Sequence, residues 1–270
     1  KGNVLRPFLK WLGNKYRHID KLLRLLPDGK RLVEPFAGSG AVFLNTSFNH
    51  YLLGEKNADL VSLYQHLQAE GESFIEDCKR LFKPRYNQAK AYYKLRDSFN
   101  ASKNHRERAI MFLYLNRHGY NGLCRYNLNG GFNVPFGLYK SPYFPEKEML
   151  AFQQKSASAV LLNNCYRDTL SMVKQGDVLY CDPPYVPLSK TANFTAYTHR
   201  QFNEEDQLYL IENAKYLANK GIPVLLSNHD TQFTRHHMRD AELFSFKTKR
   251  VVSCKADNRD TVKELLALYR

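Results

Sequence analysis

The segment Asp177–Leu188, DVLYCDPPYVPL, places a carboxylate, two prolines and an aromatic ring directly after an apolar run. If that run is a strand in a parallel sheet, Asp182 follows it at the sheet edge where ligands bind. Pro183 and Pro184 have a fixed φ and no N–H, so the turn is stiff and its carbonyls are free to accept hydrogen bonds. Asp182 and the Pro183 carbonyl can accept both hydrogens of an amino group on a planar ring, while Tyr185 stacks on that ring.

A clamp of this kind needs no covalent intermediate and no separate strong base. Holding both amino hydrogens turns the nitrogen lone pair toward an electrophile, and positioning then supplies most of the catalysis. The alternative for a bare DPPY motif is a proline turn that ends a strand, with Asp182 as a local cap. The motif alone leaves these two interpretations evenly balanced.

A second stretch with chemical potential is the small-residue turn FAGSG, Phe36–Gly40. Glycine and alanine let the backbone approach a ligand closely, and the N-terminus of a following helix offers free N–H groups. Glu55, at the tip of the next apolar run, is a carboxylate of the kind that accepts hydrogen bonds from ribose hydroxyls. Together they indicate a nucleoside ligand, and the lack of GxGxxG and of GKT or GKS favours one without phosphates. Taken alone, the turn is equally consistent with an ordinary strand-to-helix connection.

Apolar runs that alternate with helical patterns would position these residues. Strands are predicted at Arg31–Glu34, Tyr51–Leu53, Ala159–Asn164, Asp177–Asp182 and Ile222–Asn228, with one helix from about Ala58 and another that ends at Gly221. This order predicts an α/β fold with a mostly parallel sheet and helices on both faces.

The middle of the chain has a different pattern. Residues 74–116 are helical and basic with no strand candidate, and CRYNLNGGFNVPFG carries a hairpin signal at Asn129, Gly130 and Gly131. We predict that residues 73–144 form an inserted subdomain, and that residues 1–72 and 145–270 form the sheet domain.

Basic charge is concentrated in two windows of a chain whose net charge is +14. Lys1–Arg31 holds nine basic and two acidic residues, and Lys79–Asn127 holds twelve and two. This distribution favours a polyanionic partner. The five cysteines form no CxxC pair, which indicates a reducing compartment and no zinc site, and no apolar run is long enough to span a membrane.

Seven stretches resemble the Dam-type, α-group DNA adenine-N6 methyltransferases that act on GATC: FLKWLGNKY, VEPFAGSG, NRHGYNGLCRYN, FNVPFG, YCDPPY, TANFTAY and SNHD. The resemblance runs from about Phe8 to Tyr269. It implies a class I Rossmann-like methyltransferase sheet with an inserted helical and β-hairpin subdomain that recognises DNA. It further implies S-adenosyl-L-methionine (AdoMet) as cofactor, double-stranded DNA as partner, base flipping, no metal, and a cytoplasmic location at the nucleoid. Because the chain is short and basic and must track along DNA, we expect a monomer.

The resemblance also implies roles for individual residues. Asp182, Pro183 and Tyr185 would hold the target adenine. AdoMet would be bound by Trp11, Lys15, Phe36, Gly38, Ser39, Gly40, Glu55, Asp168 and Asp182. DNA would be contacted by Lys10, Arg96, Arg117, Tyr120, Asn121, Leu123, Arg125, Asn127, Pro135, Tyr139 and Lys140.

Within the DNA-contact set, three functions are expected. Arg125 can form a bidentate pair with guanine, while Leu123 and Pro135 can pack on a thymine methyl group. Tyr120 and Asn121 match family residues that intrude beside the flipped base. The others would contact guanine or, for most of them, phosphate. Any one of these charges taken alone could be a solvated surface residue, so the prediction depends on their co-occurrence.

Three positions depart from the family pattern. Glu55 replaces an aspartate, Asn14 replaces a glycine, and Leu138 replaces an arginine that would contact phosphate. We expect activity to be kept and affinity or flanking-sequence preference to change. The polar segment Ser189–Arg200 is a candidate lid that orders with DNA or AdoMet.

Other functions remain compatible with these residues. The same clamp could hold the amino group of cytosine for N4 methylation, or a base in RNA. Protein-glutamine methylation is disfavoured because those enzymes use NPPY. A non-catalytic DNA-binding protein with a methyltransferase fold is the alternative from another class, and the intact DPPY and FAGSG motifs argue against it.

Overall fold

The computed structural model of the chain describes residues 4–185, 202–249 and 261–270. In these ranges the strands are β1 (Arg31–Glu34), β2 (His50–Glu55), β3 (Ala159–Asn163), β4 (Asp177–Cys181), β5 (Val224–His229), β6 (Glu242–Lys249) and β7 (Thr261–Tyr269). They form one sheet in the order β3-β2-β1-β4-β5-β7-β6. The first five strands are parallel, and β7 runs antiparallel to both β5 and β6.

The helices are α1 (Ile19–Leu25), α2 (Ala41–Leu44), α3 (Ala58–Glu70), α4 (Glu72–Lys79), α5 (Ala89–Ala101), α6 (His105–His118), α7 (Glu146–Ser156), α8 (Tyr166–Ser171), α9 (Glu204–Asn219) and α10 (Gln232–His237). A 3₁₀ turn at Lys15–His18 precedes α1. The side chain of Asn14 caps this turn by accepting from the Tyr16 N–H. The departure at position 14 therefore has a local structural role beside Lys15.

The predicted α/β fold is confirmed as a mixed sheet of the Rossmann-like methyltransferase type. All five predicted strands are present, although β2 extends from His50 to Glu55 and β5 starts at Val224. The antiparallel pair β6 and β7 was not predicted. Residues Leu265–Tyr269 of β7 are all buried, and a short apolar run without alternation does not distinguish a strand from a helix.

The insertion contains α4, α5 and α6, as its basic sequence with a helical pattern predicts. The hairpin after α6 is present with little regular strand: Tyr126 and Phe132 form an isolated antiparallel bridge, and Asn127 N donates to Gly131 O at 2.8 Å. One buried apolar cluster includes Phe74 and Phe112 of the insertion together with Tyr51 of β2. The helices of the insertion therefore share a core with the sheet, and the proposed division at residues 73 and 144 stays a prediction.

The candidate lid and the absence of a membrane-spanning segment are compared with the described residues only. The candidate lid, Ser189–Arg200, lies outside the residues that the structure describes. Within residues 4–185, 202–249 and 261–270, no helix is long and apolar enough to cross a membrane.

Candidate active site

Three acidic side chains follow or end neighbouring parallel strands at one edge of the sheet. Glu34 is the last residue of β1 and Glu55 the last of β2, while Asp182 directly follows β4. Because β1 pairs with both β2 and β4, the carboxyl ends of these strands are adjacent. This is the edge at which parallel α/β sheets bind ligands.

The turn after β1 is shaped by two glycines with positive φ, Gly38 at 51° and Gly40 at 75°. Gly38 N donates to Glu55 Oε2 at 3.1 Å, and the Tyr64 hydroxyl donates to Gly38 O at 2.7 Å. The Trp11 ring lies 3.4 Å from the point that a Cβ on Gly38 would occupy. The turn is therefore held between the indole and the β2 carboxylate, and residues 36–40, Trp11 and Glu55 are brought together as the sequence predicts.

The other oxygen of Glu55 is also engaged, because Oε1 accepts from Asn57 N at 2.9 Å. Burial raises the pKa of Glu55, and the backbone hydrogen bonds from Asn57 and Gly38 oppose that rise. A carboxylate oxygen can accept more than one hydrogen bond, so both oxygens keep further acceptor capacity.

An aromatic cluster flanks this turn. The Phe36 ring stacks on Tyr166 with a centroid distance of 5.3 Å, and Phe202 meets Phe36 edge-on at 5.7 Å. Tyr166 is anchored because its hydroxyl donates to Asp206 Oδ1 at 2.7 Å. Asp168 lies exposed in the first turn of α8, two residues after Tyr166, and Ser39 is buried in the turn itself.

Asp182 is paired with a lysine from the opposite side of the site. Lys15 Nζ lies 3.1 Å from Asp182 Oδ1, and their side chains are 12% and 18% exposed. The same ammonium donates to the Tyr185 hydroxyl oxygen at 2.6 Å and lies 4.7 Å from the centre of its ring. Burial raises the pKa of Asp182, and the positive charge of Lys15 opposes this rise. Pro183 is buried between the two clamp residues.

The hydroxyl of Tyr185 meets two further residues that the sequence analysis did not identify. Ser227 Oγ on β5 lies 2.9 Å from the hydroxyl oxygen, and Glu264 Oε2 on β7 accepts from it at 2.7 Å. Burial raises the pKa of Tyr185 well above its usual range. Glu264 could not be found from the sequence because β7 itself was not predicted, whereas Ser227 lies in the SNHD motif and had a signal.

Glu34 is a third residue that the sequence analysis left unassigned. Its side chain is buried, its Oε2 has no hydrogen-bond partner, and burial together with the charge of Asp182 raises its pKa to about 8. The motif VEPFAGSG contained it, but the buried and unpartnered state is a property of the packed turn and not of the motif.

Several predicted DNA-contact residues lie on the hairpin. Arg125 is exposed, and it donates from Nε to Asn133 Oδ1 at 2.8 Å and from Nη2 to Asn133 O at 3.1 Å. Asn127 Oδ1 accepts from the N–H groups of Asn129 and Gly131, so this side chain holds the hairpin turn. Pro135 is exposed, and Leu123 packs at the border of the buried cluster.

A second group of them surrounds Tyr139. Tyr120 is 50% exposed, and the N–H of Asn121, whose φ is 54°, donates to the Tyr139 hydroxyl at 2.8 Å. The Lys10 ammonium lies 4.0 Å from the centre of the Tyr139 ring, and burial lowers the pKa of Lys10. Lys140 is exposed. These side chains form one patch at the base of the hairpin.

Two predicted DNA contacts are engaged by other parts of the protein. Arg117 is buried, donates to the Phe8 carbonyl, and has its pKa lowered by burial to about 10. Arg96 donates from Nη1 to Val134 O at 3.1 Å and lies over the Tyr93 ring. The structure thus gives both arginines a packing role, and their contact with DNA stays a prediction.

Hydrogen bonds connect the hairpin to the start of α3, next to the Glu55 carboxylate. The Tyr126 hydroxyl donates to Asp59 Oδ2 at 2.6 Å, and Arg108 donates from Nη2 to Asp59 Oδ1 at 2.9 Å. Asn57 Nδ2 lies 3.4 Å from Cys124 Sγ. The hairpin and the glycine-rich turn are therefore both hydrogen-bonded to α3 or its start.

Metal ligation has no support in the part of the chain that the structure describes. No group of three or more His, Cys, Asp or Glu residues there is placed to hold a metal ion.

A doubly wound sheet with DPPY after β4 and a glycine-rich turn after β1 defines a Rossmann-like methyltransferase. The chain belongs to the D12 class N6 adenine-specific DNA methyltransferases, whose family profile matches residues 11–252. It is similar to the DNA adenine methylase of Escherichia coli (strain K12), with 49% identity over 265 residues, 98% of this chain and 95% of that protein.

Two further relatives give the same result. The DNA adenine methylase of Serratia marcescens is 49% identical over 98% of both chains. That of Vibrio cholerae (strain ATCC 39541) is 47% identical over 98% of this chain and 96% of the relative. Membership makes the protein an adenine-specific DNA methyltransferase, an enzyme that uses a methyl donor and a DNA substrate.

Proposed function

We propose that the protein transfers the methyl group of AdoMet to N6 of the adenine in GATC of double-stranded DNA, after the base has been flipped out of the helix. The observation that carries the proposal is the arrangement at the end of β4, where Asp182 and Tyr185 lie together beside the glycine-rich turn. A base inside a duplex is out of reach of such a site, and flipping it costs a few kcal/mol.

The residues at the strand ends fit AdoMet. This cofactor combines a ribose with hydroxyl donors, an adenine ring, and cationic ammonium and sulfonium groups, and it carries no phosphate. Glu55 has acceptor capacity for the ribose, and the ring of Phe36 is suited to stack on an adenine. The buried Oε2 of Glu34, which lacks a partner, is an acceptor that a cationic group would satisfy. When bound, AdoMet supplies an activated methyl group.

The chain itself contributes positioning. Asp182 accepts one hydrogen of the adenine amino group, and the Pro183 carbonyl accepts the other, which directs the nitrogen lone pair at the methyl group. Tyr185 stacks on the base. Trp11 and Lys15, with residues Gly38, Ser39, Gly40 and Asp168, complete the proposed cofactor site.

The proposed DNA face is the hairpin and the patch at its base. Arg125 is exposed, and two hydrogen bonds to Asn133 fix the orientation of its guanidinium group, which favours a bidentate contact with guanine. Leu123 and Pro135 are proposed to contact thymine, while Tyr120 and Asn121 replace the flipped base. The remaining proposed contacts are Lys10, Arg96, Arg117, Asn127, Tyr139 and Lys140. We further propose a monomer that acts on chromosomal DNA in the cytoplasm.

The test uses methyl-labelled AdoMet and matched duplexes with and without GATC, followed by digestion to nucleosides. We expect label in N6-methyldeoxyadenosine from the GATC duplex only. Asp182→Asn keeps the shape of the side chain and removes its charge, and it should lower the transfer rate at least about a hundredfold. Asp240→Asn, an exposed acid paired with Lys215, is the matched control and should leave the rate unchanged.

Other outcomes have definite meanings. Label in N4-methylcytosine would assign the clamp to cytosine. Equal label from both duplexes would overturn the proposed roles of Arg125, Leu123 and Pro135 while leaving the adenine clamp intact. Full activity of Asp182→Asn would show that the charge of Asp182 is dispensable, because the amide oxygen can still accept, and full activity of Asp182→Ala would remove Asp182 from the mechanism.

A further inference from the structure

Glu264 of β7 lies within the catalytic network without belonging to either clamp motif. Its Oε2 accepts from the Tyr185 hydroxyl at 2.7 Å and lies 3.7 Å from Lys15 Nζ. Its side chain is 12% exposed. A carboxylate is not buried without partners at low cost, and here both of its partners are residues of the proposed site.

The phenol of Tyr185 has one proton and two carboxylates that could receive it. Its oxygen is 2.7 Å from Glu264 Oε2 and 3.2 Å from Asp182 Oδ1. Because a hydroxyl donates one hydrogen, the shorter contact with Glu264 takes it. Asp182 then keeps the acceptor capacity that the adenine amino group requires.

The ammonium of Lys15 is shared in the same way. It lies 3.1 Å from Asp182 Oδ1 and 3.7 Å from Glu264 Oε2. Because Lys15 lies between two carboxylates, its ammonium group forms ion pairs with both and not with Asp182 alone. Without the second acid, a closed one-to-one pair of Lys15 and Asp182 would hold the carboxylate that must bind the substrate.

We propose that Glu264 is a positioning residue for methyl transfer. By accepting the phenol proton of Tyr185 and sharing the ammonium of Lys15, it leaves an acceptor open at Asp182. Ser227 Oγ, 2.9 Å from the phenol oxygen, adds a third contact that holds the hydroxyl in place. This inference rests on the proposed function, because it assigns Asp182 to the adenine amino group.

The test compares Glu264→Gln with the parent enzyme on a duplex that the parent methylates. Glutamine keeps the size and removes the charge. We expect kcat to fall about tenfold or more, while the KM values for DNA and for AdoMet stay within about twofold. Glu242→Gln is the matched control, since Glu242 lies on the adjacent strand β6 and pairs with Arg270 at the surface. It should retain the parent kinetics.

The pH profile separates positioning from simple loss of structure. The titratable groups that face Asp182 are Lys15, Glu34, Tyr180, Cys181, Tyr185 and Glu264. Burial raises the pKa of Asp182 most, Lys15 opposes that rise, and the charge of Glu264 adds to it. Because the ionised form of Asp182 is the stronger acceptor, removing the charge of Glu264 should move the acid limb of the kcat profile to lower pH. A destabilised but otherwise normal site would leave this limb in place.

A double-mutant cycle tests whether Glu264 acts through the phenol. Tyr185→Phe removes the proton that Glu264 accepts, so adding Glu264→Gln to it should cost less than about threefold more. The same cycle on the thermal midpoint of the free protein should also be non-additive. If Glu264→Gln does not fold, Glu264→Asp keeps the charge one methylene shorter, and kcat should fall while the acid limb stays.

Two results would overturn the inference. One is a Glu264→Gln or Glu264→Asp enzyme with kcat within twofold of the parent. The other is a double variant whose kinetic losses multiply. Failure of the proposed function is distinguishable, because it is seen in the parent enzyme. If the parent methylates a sequence other than GATC, the proposed target sequence is wrong, and the Glu264 variants are then compared with the parent on that other sequence.

Discussion

Glu34 and Asp182 are acids on adjacent strands with different surroundings. Asp182 has Lys15 at 3.1 Å, whereas Glu34 Oε2 has no partner. A buried carboxyl without a compensating charge binds its proton more tightly than it does in the unfolded chain. The two acids are therefore expected to hold different charges at neutral pH, with Asp182 as the acceptor and Glu34 protonated until a cation is bound.

This difference predicts how stability depends on pH. Burial raises the pKa of Glu34 from its usual 4.5 to about 8. Below pH 4.5 the group is protonated in both the folded and the unfolded chain, so it does not change the free energy of unfolding with pH. As the pH rises from about 4.5 through 8, the unfolded chain loses the proton first, and the free energy of unfolding falls by at most about 1.4 kcal/mol per pH unit. Glu34→Gln should remove this slope, so the variant gains stability over the parent across that window. Urea unfolding of both cofactor-free proteins at pH 5, 6.5, 8 and 9 measures the difference, and a constant difference would contradict the assignment.

At the scale of single residues, the sequence predicted that Asp182, Tyr185 and Glu55 lie at strand ends, and it did not predict the side chains that contact Tyr185. Asp182, Tyr185 and Glu55 follow strand ends, and their positions depend on local order along the chain. Ser227 and Glu264 reach Tyr185 from strands 42 and 79 residues away. A partnership over such separations is set by the sheet order, which the sequence does not show.

Among the elements, the hairpin is attached both to α5, through Asn100, and to α3, through Tyr126. The Tyr126 hydroxyl donates to Asp59 at 2.6 Å, and Asp59 stays paired with Arg108 if that hydroxyl is removed. Tyr126→Phe should therefore fold with a loss of about 1 kcal/mol, the usual contribution of one hydrogen bond. A less firmly held hairpin should lower the preference for GATC over a single-base variant severalfold, because Arg125 lies beside Tyr126.

The measurements are initial rates on the two duplexes, the thermal midpoint and the AdoMet dissociation constant. AdoMet affinity should not change, because Glu55 is left intact. Tyr143→Phe is a suitable control, since Tyr143 donates to Glu148 outside the hairpin. An unchanged GATC preference in Tyr126→Phe would show that the hairpin does not need this bond.

The basic residues of the insertion show that a count of charges does not identify the residues available to bind DNA. Composition indicates where cations are numerous but not which of them lie inside. Arg117 and Arg96 support the backbone at Phe8 and Val134, while Arg125 and Lys140 are exposed. The helices of the insertion were predictable from local pattern, whereas the inward or outward direction of each arginine depends on packing.

The whole molecule carries a net charge of +14, while the two basic windows carry +7 and +10 and the rest of the chain is net −3. DNA affinity should therefore fall steeply with salt, because each phosphate contact releases about 0.9 counterion. Leu138 is 82% exposed at the base of the hairpin, at the position where the sequence resemblance predicts an arginine. Leu138→Arg should steepen the slope of log K against log salt by about 0.9. Lys220→Arg keeps the charge at a distant helix end and is the control.

Fluorescence anisotropy with a labelled duplex at several salt concentrations measures both slopes. A parent slope near zero would contradict a phosphate-binding role for the two windows. A slope unchanged by Leu138→Arg would place residue 138 away from the DNA backbone.

The continuous core has a consequence for how target specificity can change. Phe74 and Phe112 pack in the same buried cluster as Tyr51, so the helices of the insertion cannot be replaced without rebuilding the face of the sheet. Phe132 and Val134 of the hairpin are buried in this cluster as well, and the α5 side chains of Asn100 and Tyr92 bond to their backbone. Only the exposed positions of the hairpin, such as Arg125 and Pro135, are free of the core, so new recognition sequences are expected to arise by substitution at these positions and not by exchange of a whole module.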